Sequence, residues 1–312
     1  MKVAVLKGGR SLERQVSLRS GARVEDALES LGHEVVTVDA GDDLVRRLKH
    51  ARPDVAFIAL HGADGEDGTV QELLEIIGIP YTGPGVAACR RAMDKPAAKE
   101  IMRAAGVPTP EWVSFSQTAF SQLGAADALE EIEALLGFPL VVKPARGGSS
   151  LGVRFAASRD EVPRAIVSAL SYDDRVMLER HVRGRELAVS VLDGNPLPIV
   201  EVRPRDEDLY SYDARYEIGR TEFICPAQLE PDVAAAVRDA AVATWRAIGC
   251  EGFARVDLIL GDDGPQVLEV NAVPGLTDTS LLPMAAEAGG LPFEELCDRI
   301  VELALKRSRA AA

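Results

Sequence analysis

A chain of 312 residues is longer than one ordinary core needs, so two or three domains are expected. Its 47% hydrophobic and 27% charged residues describe a soluble globular protein, and no run approaches the roughly 18 apolar residues of a membrane span. With 49 Asp and Glu against 35 Lys and Arg the net charge is −14, a field that repels nucleic acid and anionic membranes and excludes both as partners. The basic end "KRSRAAA" is too short to reverse this and reads as a solvated helix end. The N-terminus "MKVAVLKGGRS" brings four apolar residues before its glycines, which suits a buried strand and not a signal peptide, so a cytoplasmic location is expected. Cys89, Cys225, Cys250 and Cys297 lack C-x-x-C spacing and read as reduced thiols, neither zinc ligands nor disulfides.

In chain order, "VAVL" (3–6) is a short strand ending at Gly8-Gly9. Residues 13–32 carry Val16, Val24, Ala27, Leu28 and Leu31 at helical spacing and stop at Gly32. "EVVTV" (34–38) and "DVAFIAL" (54–60) are further strands, and "TVQELLEIIG" (69–78) is a helix closed by glycine. Strands alternating with helices predict a parallel sheet covered on both sides, with ligands at the carboxyl ends of its strands. The loops "GGRSLER" and "HGADGEDGT" lie there. Beyond residue 90, "MDKPAAKEIMRAAG" (93–106) is a helix with Pro96 in its first turn. "VPTPEWVSF" is extended, because its prolines forbid a helix. An acidic helix near 125–136 and a strand at 173–182 complete a small α+β block. Then come strands "ELAVSVLDG" and "PLPIVEV" joined by a turn at Gly194-Asn195, and a charged, tyrosine-rich loop (203–216). A long helix (231–249), the strand pair "FARVDLIL" and "QVLEVNA", and a helical end follow.

If "GDDGP" (261–265) is the loop of that last pair, Leu260 faces Gln266, and Pro265 is spared a ladder position it could not fill. Asp257 then faces Glu269 and Arg255 faces Asn271, all on one side. Val256, Leu258, Leu260, Leu268 and Val270 form the apolar side. Two carboxylates about 5 Å apart repel unless a cation lies between them. Oxygen ligands from Asp, Glu and Asn without His or Cys suit Mg²⁺, with Arg255 a fixed charge beside it. The alternative is an exposed polar face of solvated charges. Mg²⁺ on carboxylates commonly accompanies nucleotide phosphates, and "VVKPARGGSSLG" (141–152) supplies the remainder of such a site. Lys143 ends an apolar strand, and Gly147-Gly148 let backbone N–H groups approach phosphate oxygens.

These stretches resemble the D-alanine–D-alanine ligase family of ATP-grasp enzymes. The similarity runs nearly end to end through "GGRSLERQVSLRSG", "ALHGADGEDGTVQELLEIIGIPYTGPG", "MDK", "VVKPARGGSSLG", "LERHVRGRE", "YSYDARY", "EFICPA", "FARVDL" and "EVNAVPGLTDTSLLPMAA". The resemblance implies an ATP-grasp fold of three domains: a parallel α/β domain (1–92), a small central α+β domain (93–185) and a C-terminal α+β domain with an antiparallel sheet (186–312). It implies ATP-dependent joining of two D-alanines through a D-alanyl phosphate, for peptidoglycan synthesis, by a homodimer formed largely through the first domain. It implies ATP bound by Lys95, Lys143, Gly148, Ser149, Ser150, Glu179, Val182 and Glu186, and two Mg²⁺ ions, or Mn²⁺ in their place, on Asp257, Glu269 and Asn271. Glu13 would take the ammonium of the first D-alanine and join Ser149 and Tyr216 in a set that closes the loop over the site, with His61 and Arg215 alongside. Ser280 and Leu281 would meet the second D-alanine, and Arg255 with the Gly275 N–H would hold the oxyanion. The 203–216 loop is the natural lid, because an acyl phosphate must be kept from water.

Arg215 stands where the family usually has lysine, Arg10 where it has a small hydroxyl residue, and Ala272-Val273 where it has a more polar pair. These departures bear on rate and substrate preference. A ligase taking D-lactate or D-serine second is the near alternative; Tyr216 argues against D-lactate. A non-catalytic nucleotide-binding relative would require damage to the metal set, which is complete. A dinucleotide dehydrogenase is disfavoured by the absence of G-x-G-x-x-G from the first loop. Tyr210 and Tyr212 also read as plain loop anchors, His61 as a strand-end histidine with a structural hydrogen bond, and His33, His50 and His181 as surface or structural residues.

Overall fold

The computed structural model describes residues 1–204 and 221–311. Its first sheet is parallel, β1 (Lys2–Lys7) lying between β2 (Glu34–Asp39) and β3 (Val55–Ile58). Helices Arg14–Ser30 and Thr69–Ile77 follow strands as the sequence predicts, and Leu44–Ala51 connects β2 to β3. The second sheet is antiparallel: β4 (Trp112–Ser116), β5 (Leu140–Pro144), β6 (Arg154–Ala156) and β7 (Arg175–Arg180) run in the order β4-β7-β5-β6. The third, also antiparallel, contains β8 (Arg185–Leu192), β9 (Asn195–Pro196), β10 (Val200–Pro204), β11 (Thr221–Ile224), β12 (Phe253–Gly261) and β13 (Gly264–Asn271). Its order is β11-β10-β8-β12-β13, with β9 beside β8.

The second sheet has a core of its own, Leu140, Val142, Ile166, Val176 and Leu178. The first and third share theirs. Ala4, Leu6 and Ile58 pack with Val189, Val256 and Leu258, and Val3, Val5 and Phe57 pack with Phe253, Ile300 and Val301. The last helix, Phe293–Ala311, therefore returns to cover the first sheet. Each of the larger buried side chains, Val, Leu, Ile or Phe, contributes about 1.5–3 kcal/mol relative to exposure. Helix Lys95–Ala104 has Pro96 in its first turn, as its sequence predicts; Asp94, which the 93–106 reading placed inside the helix, caps it, accepting from the Ala97 N–H at 3.1 Å.

Several expectations are corrected. The hairpin turn is Asp262-Asp263, and Pro265 does pair, opposite Leu260, which an edge strand such as β13 permits. The expected register holds for Arg255–Asn271 and Asp257–Glu269, then a bulge makes Leu258 face Val267. Val267 takes the core position and Leu268 turns out of the core. "PLPIVEV" is also interrupted, since Pro196 and Pro198 cannot donate to a ladder; only Asn195–Pro196 and Val200–Pro204 are strand. The connecting turn is Asp193-Gly194, both at positive φ. The short helices Leu44–Ala51, Val86–Met93, Gln117–Gln122 and Val162–Ala169 were not anticipated, being six to eight residues long, too short for apolar periodicity to mark a helix.

All four cysteines are free, and Cys89, Cys250 and Cys297 are buried. Burial pushes the Cys250 and Cys297 thiols up to about 12, and Cys89 in the same direction. A thiol raised in the folded chain stays protonated while its unfolded counterpart ionises. Its contribution to stability is therefore full below about pH 9 and lost as pH rises toward 12. The urea midpoint of the native chain is expected to fall above about pH 9. The fall should be shallower in Cys297→Ala, and parallel pH profiles for the two proteins would refute the assignment.

Candidate active site

Strand alternation places the polar side chains. On β5, Leu140 and Val142 enter the small core, while Val141 and Lys143 face a cavity. On β7, Val176 and Leu178 enter the core and Glu179 faces that same cavity. On β12 and β13, Val256, Leu258 and Val270 go inward, and Arg255, Asp257, Glu269 and Asn271 are carried on the opposite face.

Two adjoining cavities result. The first is lined by Glu13, His61, Glu66, Ser149, Arg255, Asn271, Gly275, Ser280 and Leu281. The second is lined by Val141, Lys143, Ser150, Glu179, Val182, Glu186, Ile259 and Leu268. Lys95, Gly147, Gly148 and Glu269 line both. Of the residues expected from sequence, Tyr216 and Arg215, like Tyr210 and Tyr212, lie outside the described residues. Asp257 lines neither cavity and sits under Arg255. All the others line one cavity or both, in the division just given.

The junction is organised by ion pairs and short hydrogen bonds. Lys95 Nζ donates to the Gly147 carbonyl at 2.5 Å and lies 3.4 Å from Glu269 Oε2. Arg255 donates to both oxygens of Asp257, at 2.7 and 2.8 Å, with both side chains buried. Ser149 Oγ donates to Glu13 Oε1. Ser149 and Ser150 are both left-handed, φ 51° and 57°. The loop thus points consecutive serines into different cavities, Ser149 into the first and Ser150 into the second.

In the first cavity, His61 Nδ1 donates to Glu66 Oε1 at 3.3 Å, which leaves Nε2 to accept from Ser20 Oγ at 3.0 Å. The histidine combines the two sequence readings: it lines the cavity and makes structural hydrogen bonds. Ser280 Oγ accepts from the Thr277 N–H and shares a hydrogen with Thr277 Oγ1, each at 2.9 Å. It lies so close to Gly275 that a Cβ there would come within 2.8 Å of it, so this position calls for glycine.

In the second cavity, Glu179 Oε1 accepts from Lys143 Nζ at 2.7 Å. Lys99 Nζ stands 2.6 Å from Oε2, an ion pair off the hydrogen-bond direction. Burial pushes Glu179 up, but Lys143 and Lys99 outweigh it and hold the carboxyl below its usual range. Burial draws Lys99 down to about 8 against the pull of Glu179. Lys99 also donates to Thr109 Oγ1, which donates to the Val267 carbonyl at 2.7 Å, beside the β13 bulge. Sequence reading missed Lys99, although it follows Lys95 by four residues on one helix face, a visible signal. It also missed Glu66 and Thr277, and Leu268 and Ile259, which the bulge and strand pairing bring to the cavity. His181, expected to be surface or structural, lines the cavity edge-on to Phe155 at 5.1 Å.

The donors on the hairpin fit a hard divalent cation. Asn271 Oδ1 is buried with no hydrogen-bond partner among the described residues, Glu269 borders the same space, and Asp257 retains lone pairs beyond those used by Arg255. All are oxygens, as Mg²⁺ requires.

Family models for "D-ala D-ala ligase N-terminus" and "D-ala D-ala ligase C-terminus" match residues 40–84 and 101–302. The chain is 46% identical over 300 residues to the D-alanine–D-alanine ligase of Syntrophotalea carbinolica, covering 96% of this chain and 95% of that protein. It superposes on crystal structures of D-alanine–D-alanine ligase from Bacillus anthracis, covering all of both chains. The TM-score is 0.89 at 36% identity for one and 0.86 at 33% identity for a complex with ATP.

Removing the Lys99 ammonium should expose how much the buried carboxylate depends on it. Lys99→Met is expected to destabilise the chain by on the order of 3–5 kcal/mol, the cost of breaking a buried pair from one side. Urea unfolding at neutral pH measures this, and a loss under about 1 kcal/mol would mean that Lys143 alone suffices.

Proposed function

The chain belongs to the D-alanine–D-alanine ligase family, and from that premise we propose how its two cavities divide an ATP-dependent ligation of D-alanine to D-alanine. ATP takes the cavity of Val141, Lys143, Glu179 and Leu268, and the amino acids take the cavity of Glu13, Arg255 and Ser280. The observation that carries this reading is the shared wall. Lys95, Gly147, Gly148 and Glu269 line both cavities, so a carboxylate in one can meet a phosphate in the other.

In the proposed reaction, Glu13 receives the ammonium of the first D-alanine and turns its carboxylate toward the junction. That carboxylate oxygen bonds to the γ-phosphorus of ATP and ADP leaves, giving the acyl phosphate. Lys95 and Lys143 offset the charge that builds on the phosphates. The amine of the second D-alanine, having lost its extra proton, attacks the acyl carbon. The C–O bond to phosphate then breaks, with loss of a second amine proton, to form D-alanyl-D-alanine. Arg255, immobilised by Asp257, and the Gly275 N–H stabilise the intervening oxyanion; each preorganised donor of this kind contributes about 3–4 kcal/mol. Ser280 Oγ, fixed by Thr277, receives the second carboxylate. Mg²⁺ on Asp257, Glu269 and Asn271 would supply charge neutralisation between the phosphates when bound.

The division into units 1–92, 93–185 and 186–312 belongs to the same proposal; the separate core of the second sheet supports the middle unit. So does a homodimer through the first unit, where Leu12 and Ile76 are exposed. No helix among the described residues is long and apolar enough to cross a membrane. We place the enzyme in the cytoplasm, supplying the dipeptide for peptidoglycan.

Purified protein with ATP and Mg²⁺ should release phosphate with D-alanine and not with L-alanine. D-serine or D-lactate offered beside D-alanine tests the second position. Absence of release with D-alanine would sink the ligase reading. Asp257→Asn should lower turnover by about a hundredfold or more, the scale of losing one charge-stabilising group, while the far-UV circular dichroism stays unchanged. Near-normal turnover would remove Asp257 from the site.

A further inference from the structure

Helix Arg14–Ser30 begins beside Glu13, the proposed ligand of the first amino acid. Farther along, Ser20 and Arg23 lie three residues apart on one face. That face meets the loop running from Gly275 to Ser280. Arg23 Nη1 donates to the Leu276 carbonyl at 2.7 Å, and its Nε is 2.9 Å from Asp278 Oδ1. The Leu276 N–H donates to Ser20 Oγ at 3.2 Å. Both peptide groups of Leu276 are therefore held by the helix. The guanidinium also lies 4.1 Å from the centroid of buried Phe293, the first residue of the last helix. Stacking on the ring face leaves the planar edge of Arg23 for hydrogen bonds, a fork that a lysine does not provide.

The residues on either side of Leu276 give this clamp its consequence. Gly275 precedes it, and Thr277, which fixes Ser280 Oγ, follows it. A shift of Leu276 moves the backbone donor and the serine together. Glu13 opens the same helix, ten residues before Arg23, and Ser20 also donates to His61 of the first cavity, so Arg23 is the part of the clamp directed at the second subsite. Ser149 and the second cavity stand on other elements.

We propose that Arg23 is the positioning residue of the second amino-acid subsite, locking the Gly275–Ser280 loop onto the helix that begins at the first subsite. The proposal rests on the ligase reading above and deepens it. It requires that loss of Arg23 weaken capture of the second D-alanine and leave capture of the first D-alanine and of ATP unchanged.

Steady-state phosphate release, fitted for the separate Michaelis constants of ATP and of the tighter and weaker D-alanine, tests this. Arg23→Leu is expected to raise the constant for the weaker, second D-alanine about tenfold, the scale of losing a charged hydrogen bond. The other two constants should stay within about twofold, a change worth less than one ordinary hydrogen bond. Arg23→Lys keeps a charge near Asp278 without the fork or the stacking, and should recover part of the loss. A rise of all three constants together, or a fall in kcat with the second constant unchanged, would overturn the proposal and leave Arg23 a purely structural residue. If Arg23→Leu does not fold, Arg23→Lys and Asp278→Asn decide: an unchanged second constant in both also overturns it. A wild-type chain that releases no phosphate with D-alanine would show a different failure, that of the ligase reading itself.

Discussion

The pairing of Asp257 with Glu269 across β12 and β13 constrains everything at the junction of the cavities. Residues directly opposite in an antiparallel ladder hold their side chains about 5 Å apart, so two carboxylates there need positive charge around them. Arg255 supplies it from the same strand, two residues away on the same face, and Lys95 supplies it from a helix across the cavity. The bulge just beyond this pair completes the arrangement. It lets Val267 stay in the core while Leu268 and the adjacent Glu269 both face the second cavity. In the proposed division of the cavities, an apolar wall for the base and a carboxylate for the phosphate end thus come from neighbouring residues of one strand, which strict alternation forbids.

A chain with a net charge of −14 might be thought ill suited to polyphosphate. Its site answers locally, by placing each buried cation against a partner of known strength. Lys143 and Lys99 share Glu179, and Arg255 is committed to both oxygens of Asp257. Those contacts fix side chains in place, because breaking a buried pair from one side is costly. Lys95 differs: its shortest contact is a neutral carbonyl, that of Gly147. A phosphate oxygen is a stronger acceptor than a carbonyl, so Lys95 can exchange the Gly147 carbonyl for a phosphate while staying beside Glu269.

Much of this was legible in the sequence, because period-2 alternation and glycine placement carry direct physical meaning. The parallel first sheet, the helix with Pro96 in its first turn and the Arg255–Asn271 and Asp257–Glu269 register followed from such rules. What was not legible depended on one added residue or on distance along the chain. A bulge leaves no mark in a run such as "QVLEVN", yet it reversed the place of Leu268. Pro265 was excluded from the ladder by a rule that an edge strand relaxes. Lys99 had a signal in its spacing from Lys95, but its ion-pair partner Glu179 is far along the chain and only the fold brings them together. Arg23 sits in an unremarkable helical stretch, and its meaning depends on a loop some 250 residues later.

The glycine-serine loop shows how the two cavities are joined energetically. Ser149 and Ser150 both occupy the left-handed region, which costs L-residues roughly 1–2 kcal/mol each. The hydrogen bond from Ser149 to the Glu13 carboxylate is of the charged kind, contributing about 1.5–3 kcal/mol. Strain and tether are of similar size, so neither dominates. Since Glu13 also receives an ammonium in the proposed reaction, one carboxylate serves both the incoming amino acid and the loop. Occupancy of the first cavity is thereby felt at Ser150, one residue on, which faces the nucleotide cavity. Coupling of the two substrates requires no long path through the fold, only the geometry of two adjacent serines.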